Sequence, residues 1–289
     1  MMKKTEKNSE IQKRVEMYRT GSITRRELLR SLIALTGSYA AAHLFLESSG
    51  VAATLISQTE AEAANVSAET VRFPSGQVQM EGYLVKPKST GKHPAILVIH
   101  ENRGLNEHIR DVARRFAAEG FVALAPDLLS RVGGTGSMQE QRDAVEAIGL
   151  LPVYDVLDDL RTGFRFLEND SAVDSQKIAS VGFCWGGWRS FMLATVEPNL
   201  YRAVVFYGSS PDSGFDKIQA PVLAHYAQWD NRITGNALWT EKEMQQAGKQ
   251  YQYHVYPDTE HAFFNDTGPR HNPEASQLAW RRTLEFLRS

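Results

Sequence analysis

The sequence predicts an α/β fold, a mostly parallel, doubly wound sheet with helices on both faces. Three observations predict it. Short apolar runs without alternation, such as "PAILVIHE" and "FVALAPD", mark strands covered on both sides. They alternate along the chain with helical stretches of amphipathic pattern. Chemically capable residues then follow one run after another, as expected where sites gather beyond the carboxyl ends of parallel strands.

The elements can be read in order. The first 70 or so residues differ from the rest. "MMKKTEKNSEIQKRVEMYRTGSITRRELLR" is polar and basic, "SLIALTGSYAAAHLFL" is mildly apolar, and "ESSGVAATLISQTEAEAANVSAET" is small and acidic. Within it "TRRELLR", Thr24 to Arg30, looks like a twin-arginine export motif with Leu28 where that motif has Phe. An Ala61-Glu62-Ala63 cleavage pattern follows. The expectation is an export signal over 1–63, engaging the twin-arginine machinery and placing the protein outside the cytoplasm. The alternative is a helical arm that packs on the body or on another subunit, in a cytoplasmic protein. The apolar run is short for a membrane span.

The body, 64–289, opens with "VRFPSGQVQMEGYLVKP", which reads as a hairpin turning at Pro-Ser-Gly. A strand "PAILVIHE", a helix "NEHIRDVARRFAAEG" ended by Gly120, and a strand "FVALAPD" come next. Helices are expected around 138–149 and 153–169. Strands "KIASVGF", "RAVVFYG", "PVLAHYA" and "YQYHVYP" follow, with helices after the first of these, near 236–249 and over 273–288.

Composition narrows the function. Lys and Arg number 32 against 34 Asp and Glu, a net charge of −2, so nothing argues for a nucleic-acid partner. One cysteine excludes an intrachain disulfide and any multi-cysteine zinc site. "HENRGLNEH" lacks the HExxH spacing, so no metal is expected. "GGTG" at 133–136 lacks the Lys-Ser/Thr of a phosphate-binding loop and reads as a mobile loop.

That single cysteine carries the strongest signal. In "SVGFCWGGWRS", Cys184 stands between a strand and a helix in a Gly-x-Cys-x-Gly-Gly pattern. This is the nucleophile-elbow pattern with sulfur in place of serine oxygen. The turn is tight enough that side chains at Gly182 and Gly186 would clash, and it aims the nucleophile at helix N-terminal amides. Asp230 follows "PVLAHYAQW" and His261 follows "YQYHVYPDTE". Nucleophile, acid and histidine in that chain order are the order of the α/β-hydrolase triad. His261 would take the thiol proton, and Asp230 would fix its tautomer. The backbone amides of Trp185 and Asn102 would form the oxyanion hole.

From about Val71 to its end the chain resembles the dienelactone hydrolase family, the carboxymethylenebutenolidases. The resemblance is carried by "VIHENRGLNEHIRDVARRFAAEGFVALAPDLLSR", "GFCWGG", "YAQWDNRI" and "YPDTEHAFFNDT". It implies an α/β-hydrolase domain, a small-molecule ester or lactone substrate, no cofactor, and a Cys184–Asp230–His261 triad. It also implies that Glu101 lies beside the thiol and helps control its ionisation, and that Arg131 binds a substrate carboxylate. The family's second carboxylate-binding arginine corresponds to Asn265 here, which favours a neutral or weakly acidic substrate. The alternatives are a general carboxylesterase or thioesterase on the same fold, and a thiol redox-sensing or binding protein.

Overall fold

A computed structural model of the chain describes residues 4–20, 22–23, 25–36, 42 and 65–289. Helices α1 (Lys4–Arg19) and α2 (Arg25–Thr36) precede the body. The sheet follows: β1 (Val66–Ser75), β2 (Val78–Pro87), β3 (His93–Ile99), β4 (Val122–Asp127), β5 (Val173–Phe183), β6 (Ala203–Phe206), β7 (Val222–Ala227) and β8 (Tyr251–Tyr256). Its order is β1-β2-β4-β3-β5-β6-β7-β8. The β1–β2 and β2–β4 pairs are antiparallel, and every other neighbouring pair is parallel.

Each parallel crossover carries helical structure: α3 (Glu107–Ala118) between β3 and β4, α4 (Gln141–Leu150) and α5 (Val153–Glu168) before β5, and α6 (Trp185–Val196) after it. The short α7 (Asn231–Thr234) and α8 (Ala237–Gln246) lie between β7 and β8, and α9 (Pro273–Arg288) closes the chain. The helices fall on two faces because alternate strand residues do. Ile96, Val98, Val181 and Phe183 pack with Ile109 and Phe116 of α3 and Trp280 of α9. Leu97, Ile99 and Ile178 pack on the other side with Leu160 of α5, Phe191 of α6 and Met244 of α8. Both faces of the strands are therefore desolvated, which is why their sequences show no polar alternation.

Four sequence expectations are adjusted. The hairpin turns at Gly76 and Gln77 rather than at Pro-Ser-Gly, because Pro74 still pairs with Gln79 in the ladder and Gly76 supplies the positive φ of 58°. Strand β5 begins at Val173, earlier than "KIASVGF" suggests, where it pairs with His93 across a register shift. α4 starts at Gln141, capped reciprocally by Glu140 and Asp143. The "GGTG" segment is pinned rather than loose: the Asp127 carboxylate accepts from both the amide and the hydroxyl of Thr135.

In the N-terminal region, Ile11, Val15, Leu28 and Leu32 are buried and belong to the apolar cluster on the α3 and α9 side of the sheet. The Ala61-Glu62-Ala63 pattern lies outside the described residues, as do the side chains of Arg25 and Arg26. No helix among the described residues is long and apolar enough to cross a membrane.

Candidate active site

The elbow forms as the glycine pattern requires. Cys184 has φ 55° and ψ −116°, a conformation that L-residues rarely adopt and that persists only where surroundings enforce it. Enforcement comes from both sides. The Cys184 amide donates to the Phe206 carbonyl at 2.9 Å, and the Cys184 carbonyl accepts from the Trp188 amide at 3.2 Å. A Cβ on Gly182 would collide with the backbone of Gly186, and one on Gly186 with the carbonyls of Ile99 and His100. At Gly187 it would come within 2.7 Å of the Phe206 carbonyl. The helix thus starts pressed against the ends of β3 and β6.

The three residues found at the ends of β5, β7 and β8 lie in one hydrogen-bonded line. His261 Nε2 is 3.0 Å from Cys184 Sγ, and its Nδ1 is 2.5 Å from Asp230 Oδ2. Burial alone would lower the His261 pKa, but the hydrogen bonds to Asp230 and to the sulfur outweigh it and raise the value to about 9. The loops that carry the acid and the histidine are tied together, since the Trp229 amide donates to the Thr259 carbonyl at 3.0 Å. The histidine loop is anchored at its far side too. Asp266, on that loop, pairs with Arg115 and with His108 of α3. Burial would raise the Asp266 pKa, but Arg115 and His108 pull it well below the usual carboxylate range.

Cys184 and His261 open into a cavity of about 270 Å³ whose lining includes Glu101, Asn102 and Asn265. Glu101 is buried, and its carboxylate accepts from Asn265 Nδ2 at 2.8 Å and from Tyr207 Oη at 3.4 Å. Burial and the nearby Glu101 and Cys184 push the Tyr207 pKa far up, so Tyr207 stays a hydrogen-bond donor. The loop bearing Asn102 is held by Thr135, whose hydroxyl accepts from the Leu105 amide at 2.8 Å. The amides of Asn102 and Trp185 donate to no backbone carbonyl among the described residues. No group of three or more His, Cys, Asp or Glu side chains there could hold a metal ion.

Of the two expected substrate contacts, Arg131 lies outside the cavity and Asn265 lines it. Arg131 is not in the cavity lining; its guanidinium clamps the fully buried Asp159 of α5, with Nε–Oδ2 at 2.7 Å and Nη2–Oδ1 at 2.8 Å. The carboxylate partner that occupies it is its own chain's. Asn265 does reach the cavity, but both ends of its amide are engaged: Nδ2 by Glu101, and Oδ1 by the amide and hydroxyl of Thr267 at 3.1 and 2.6 Å. It supports Glu101, to which one of its two amide N–H donors is committed. Three residues were missed by sequence reasoning and line the same cavity: Arg103, Arg232 and Arg270. Tyr207 was missed as well, although it directly follows β6 and the strand-end rule would have found it.

Comparison with known proteins agrees with this architecture. Residues 80–289 match the dienelactone hydrolase family. A carboxymethylenebutenolidase candidate from Methylorubrum extorquens is 31% identical over 240 residues, covering 78% of this chain and 82% of the relative. One from Escherichia coli K12 is 31% identical over 250 residues, covering 82% and 91%. Among solved structures, a dienelactone hydrolase candidate from Klebsiella pneumoniae superposes with a TM-score of 0.72 at 28% identity, over 78% of this chain and 99% of that one.

Proposed function

The chain belongs to the dienelactone hydrolase family and is a hydrolase of that kind, and from this premise we propose that it cleaves a small-molecule ester or lactone through Cys184, His261 and Asp230. The observation that carries the reading is the unbroken contact from Sγ to Nε2 and from Nδ1 to Oδ2.

In the proposed cycle His261 holds the proton taken from the thiol, in line with its raised pKa, and Sγ attacks the carbonyl carbon. The amides of Trp185 and Asn102 receive the developing oxyanion, which the pinned elbow and the Thr135-held loop support by fixing both donors in advance. The tetrahedral intermediate collapses, the C–O bond breaks, and His261 returns the proton to the leaving oxygen. Water, deprotonated by His261, then hydrolyses the thioester and releases the acid and the free thiol. Asp230 keeps Nδ1 protonated and stabilises the imidazolium throughout. Glu101, held by Asn265 and Tyr207, sets the charge against which the thiol ionises. The test is turnover of p-nitrophenyl acetate and a panel of enol-lactones, with mass spectrometry of the quenched enzyme. An acyl adduct on Cys184 is expected. Equal turnover by Cys184→Ala removes the reading.

We also propose that residues 1–63 direct export through the twin-arginine route. The reading is supported by Arg25 and Arg26 ahead of a mildly apolar stretch. Mature protein then begins near Ala64, and replacing both arginines by lysine retains the precursor in the cytoplasm. Full-length wild-type protein in the cytoplasm would instead favour a permanent arm, consistent with the burial of Leu28 and Leu32.

A further inference from the structure

Three of the segments that surround the cavity each bring an arginine. Arg103 follows Asn102 on the loop after β3. Arg232 lies in α7, two residues beyond Asp230. Arg270 lies on the segment that leaves His261. All three are exposed and all three line the cavity that holds Cys184. None makes a hydrogen bond or ion pair with a described residue. This sets them apart from the arginines close by: Arg114 pairs with Glu107, Arg115 with Asp266, and Arg131 with Asp159.

The charge of the lining is lopsided. Among the described residues, the one carboxylate in it belongs to Glu101, already satisfied by Asn265 and Tyr207. Three guanidiniums against that single carboxylate leave two positive charges uncompensated in the lining. Guanidinium groups present paired donors that match carboxylate and phosphate oxygens. A concave wall of one sign also concentrates ligands of the other. The volume, about 270 Å³, suits a small acid rather than a lipid or a polymer.

We infer that Arg103, Arg232 and Arg270 form an anion-recognition rim that selects small esters bearing two negative charges, as two carboxylates or one phosphate. This rests on Cys184 being the nucleophile of the site, and it reverses the neutral-substrate expectation drawn from Asn265. The anion is received at the mouth, where the three loops meet.

Two measurements test it. The first compares kcat and KM for neutral, singly charged and doubly charged esters of one acyl group, with a dicarboxylate and a phosphate arm to separate the two sources of charge. Wild-type kcat/KM is expected to rise with each charge and to lose that rise at high salt. Arg103→Gln, Arg232→Gln and Arg270→Gln should each raise KM for the doubly charged ester about 3- to 10-fold, with kcat and the neutral ester little changed. The second needs no ester turnover: alkylation of Cys184 by anionic iodoacetate against neutral iodoacetamide, each normalised to free cysteine. An excess of iodoacetate reactivity that succinate suppresses and the arginine variants lose is expected. Hydrolysis without charge preference, together with an alkylation ratio equal to that of free cysteine, overturns the rim and leaves the hydrolase reading standing. An arginine-dependent iodoacetate preference with no ester hydrolysed upholds the rim and removes the hydrolase reading.

Discussion

The side-chain amide of Asn265 donates to Glu101 at 2.8 Å, joining residues 164 apart in sequence beside the only thiol of the protein. The bond compensates a buried carboxylate that faces the same cavity as Cys184. Asn265→Leu therefore strips a neutralising donor from that carboxylate, and the exposed negative charge opposes formation of a second one on sulfur. Iodoacetamide should alkylate Cys184 more slowly at pH 7 in Asn265→Leu and faster in Glu101→Gln. The same rate in all three proteins would mean that Glu101 does not control the nucleophile.

Removal of the reacting groups should follow the pattern of residues that act as a unit. Cys184→Ala should abolish ester turnover, and His261→Ala should reduce kcat by about 1000-fold or more. The double variant should be no worse than Cys184→Ala alone. Additive losses in steady-state kinetics would show that the two residues act independently.

The glycines of the elbow should not tolerate a methyl group. Gly182→Ala and Gly186→Ala place Cβ atoms inside backbone contact distance and should leave little soluble folded protein. Gly149, exposed in α4 with open space around its Cβ position, gives the contrast. Gly149→Ala should be neutral or raise stability by about 0.5–1 kcal/mol in urea titration.

Stability should fall with pH through the His261 window. The folded protein holds that proton with a pKa of about 9, against an ordinary histidine value of about 6.5. A proton bound more tightly in the folded chain stabilises it fully below about 6.5, and the contribution is lost as pH climbs through about 9. Relative to His261→Gln, the wild-type protein should lose about 3 kcal/mol of unfolding free energy between pH 6 and 9.5. A difference that stays flat across that range would mean the imidazolium is not stabilised in the fold.

Arg131 should matter for stability and not for substrate. Arg131→Gln leaves the buried Asp159 without its fork of donors and should cost about 1–3 kcal/mol. Its KM for an anionic ester should stay within about twofold of wild type. A large KM rise without loss of stability would return Arg131 to the binding site.

Much of this was legible along the chain, and the boundary has a physical origin. β3, β4 and β7 announced themselves because burial on both faces admits almost nothing but apolar side chains. The elbow was legible because its steric demand falls on consecutive residues, and Asp230 and His261 because parallel topology brings strand ends to one edge. Contacts decided by tertiary geometry were not. Arg131 sits where a carboxylate binder was expected, but its partner Asp159 is set by how α5 packs. Asn265 was taken for the loss of an anion contact because its partner Glu101 is far off in sequence. The three rim arginines lie on irregular loops, where no periodicity tells a wall residue from a solvated one.

The sheet grows outward from β5 in the order in which the chain is made: β6, β7, then β8 at the edge. Cys184 comes directly after β5 and His261 only after β8. A ribosome-bound chain that has released residues up to about 250 thus presents the thiol on its elbow helix with neither its base nor the α9 cover in place. The contact of Cys184 with His261 therefore exists only once the final strand is in place. A chain truncated before β8 would carry Cys184 in its strained turn with no imidazole beside it.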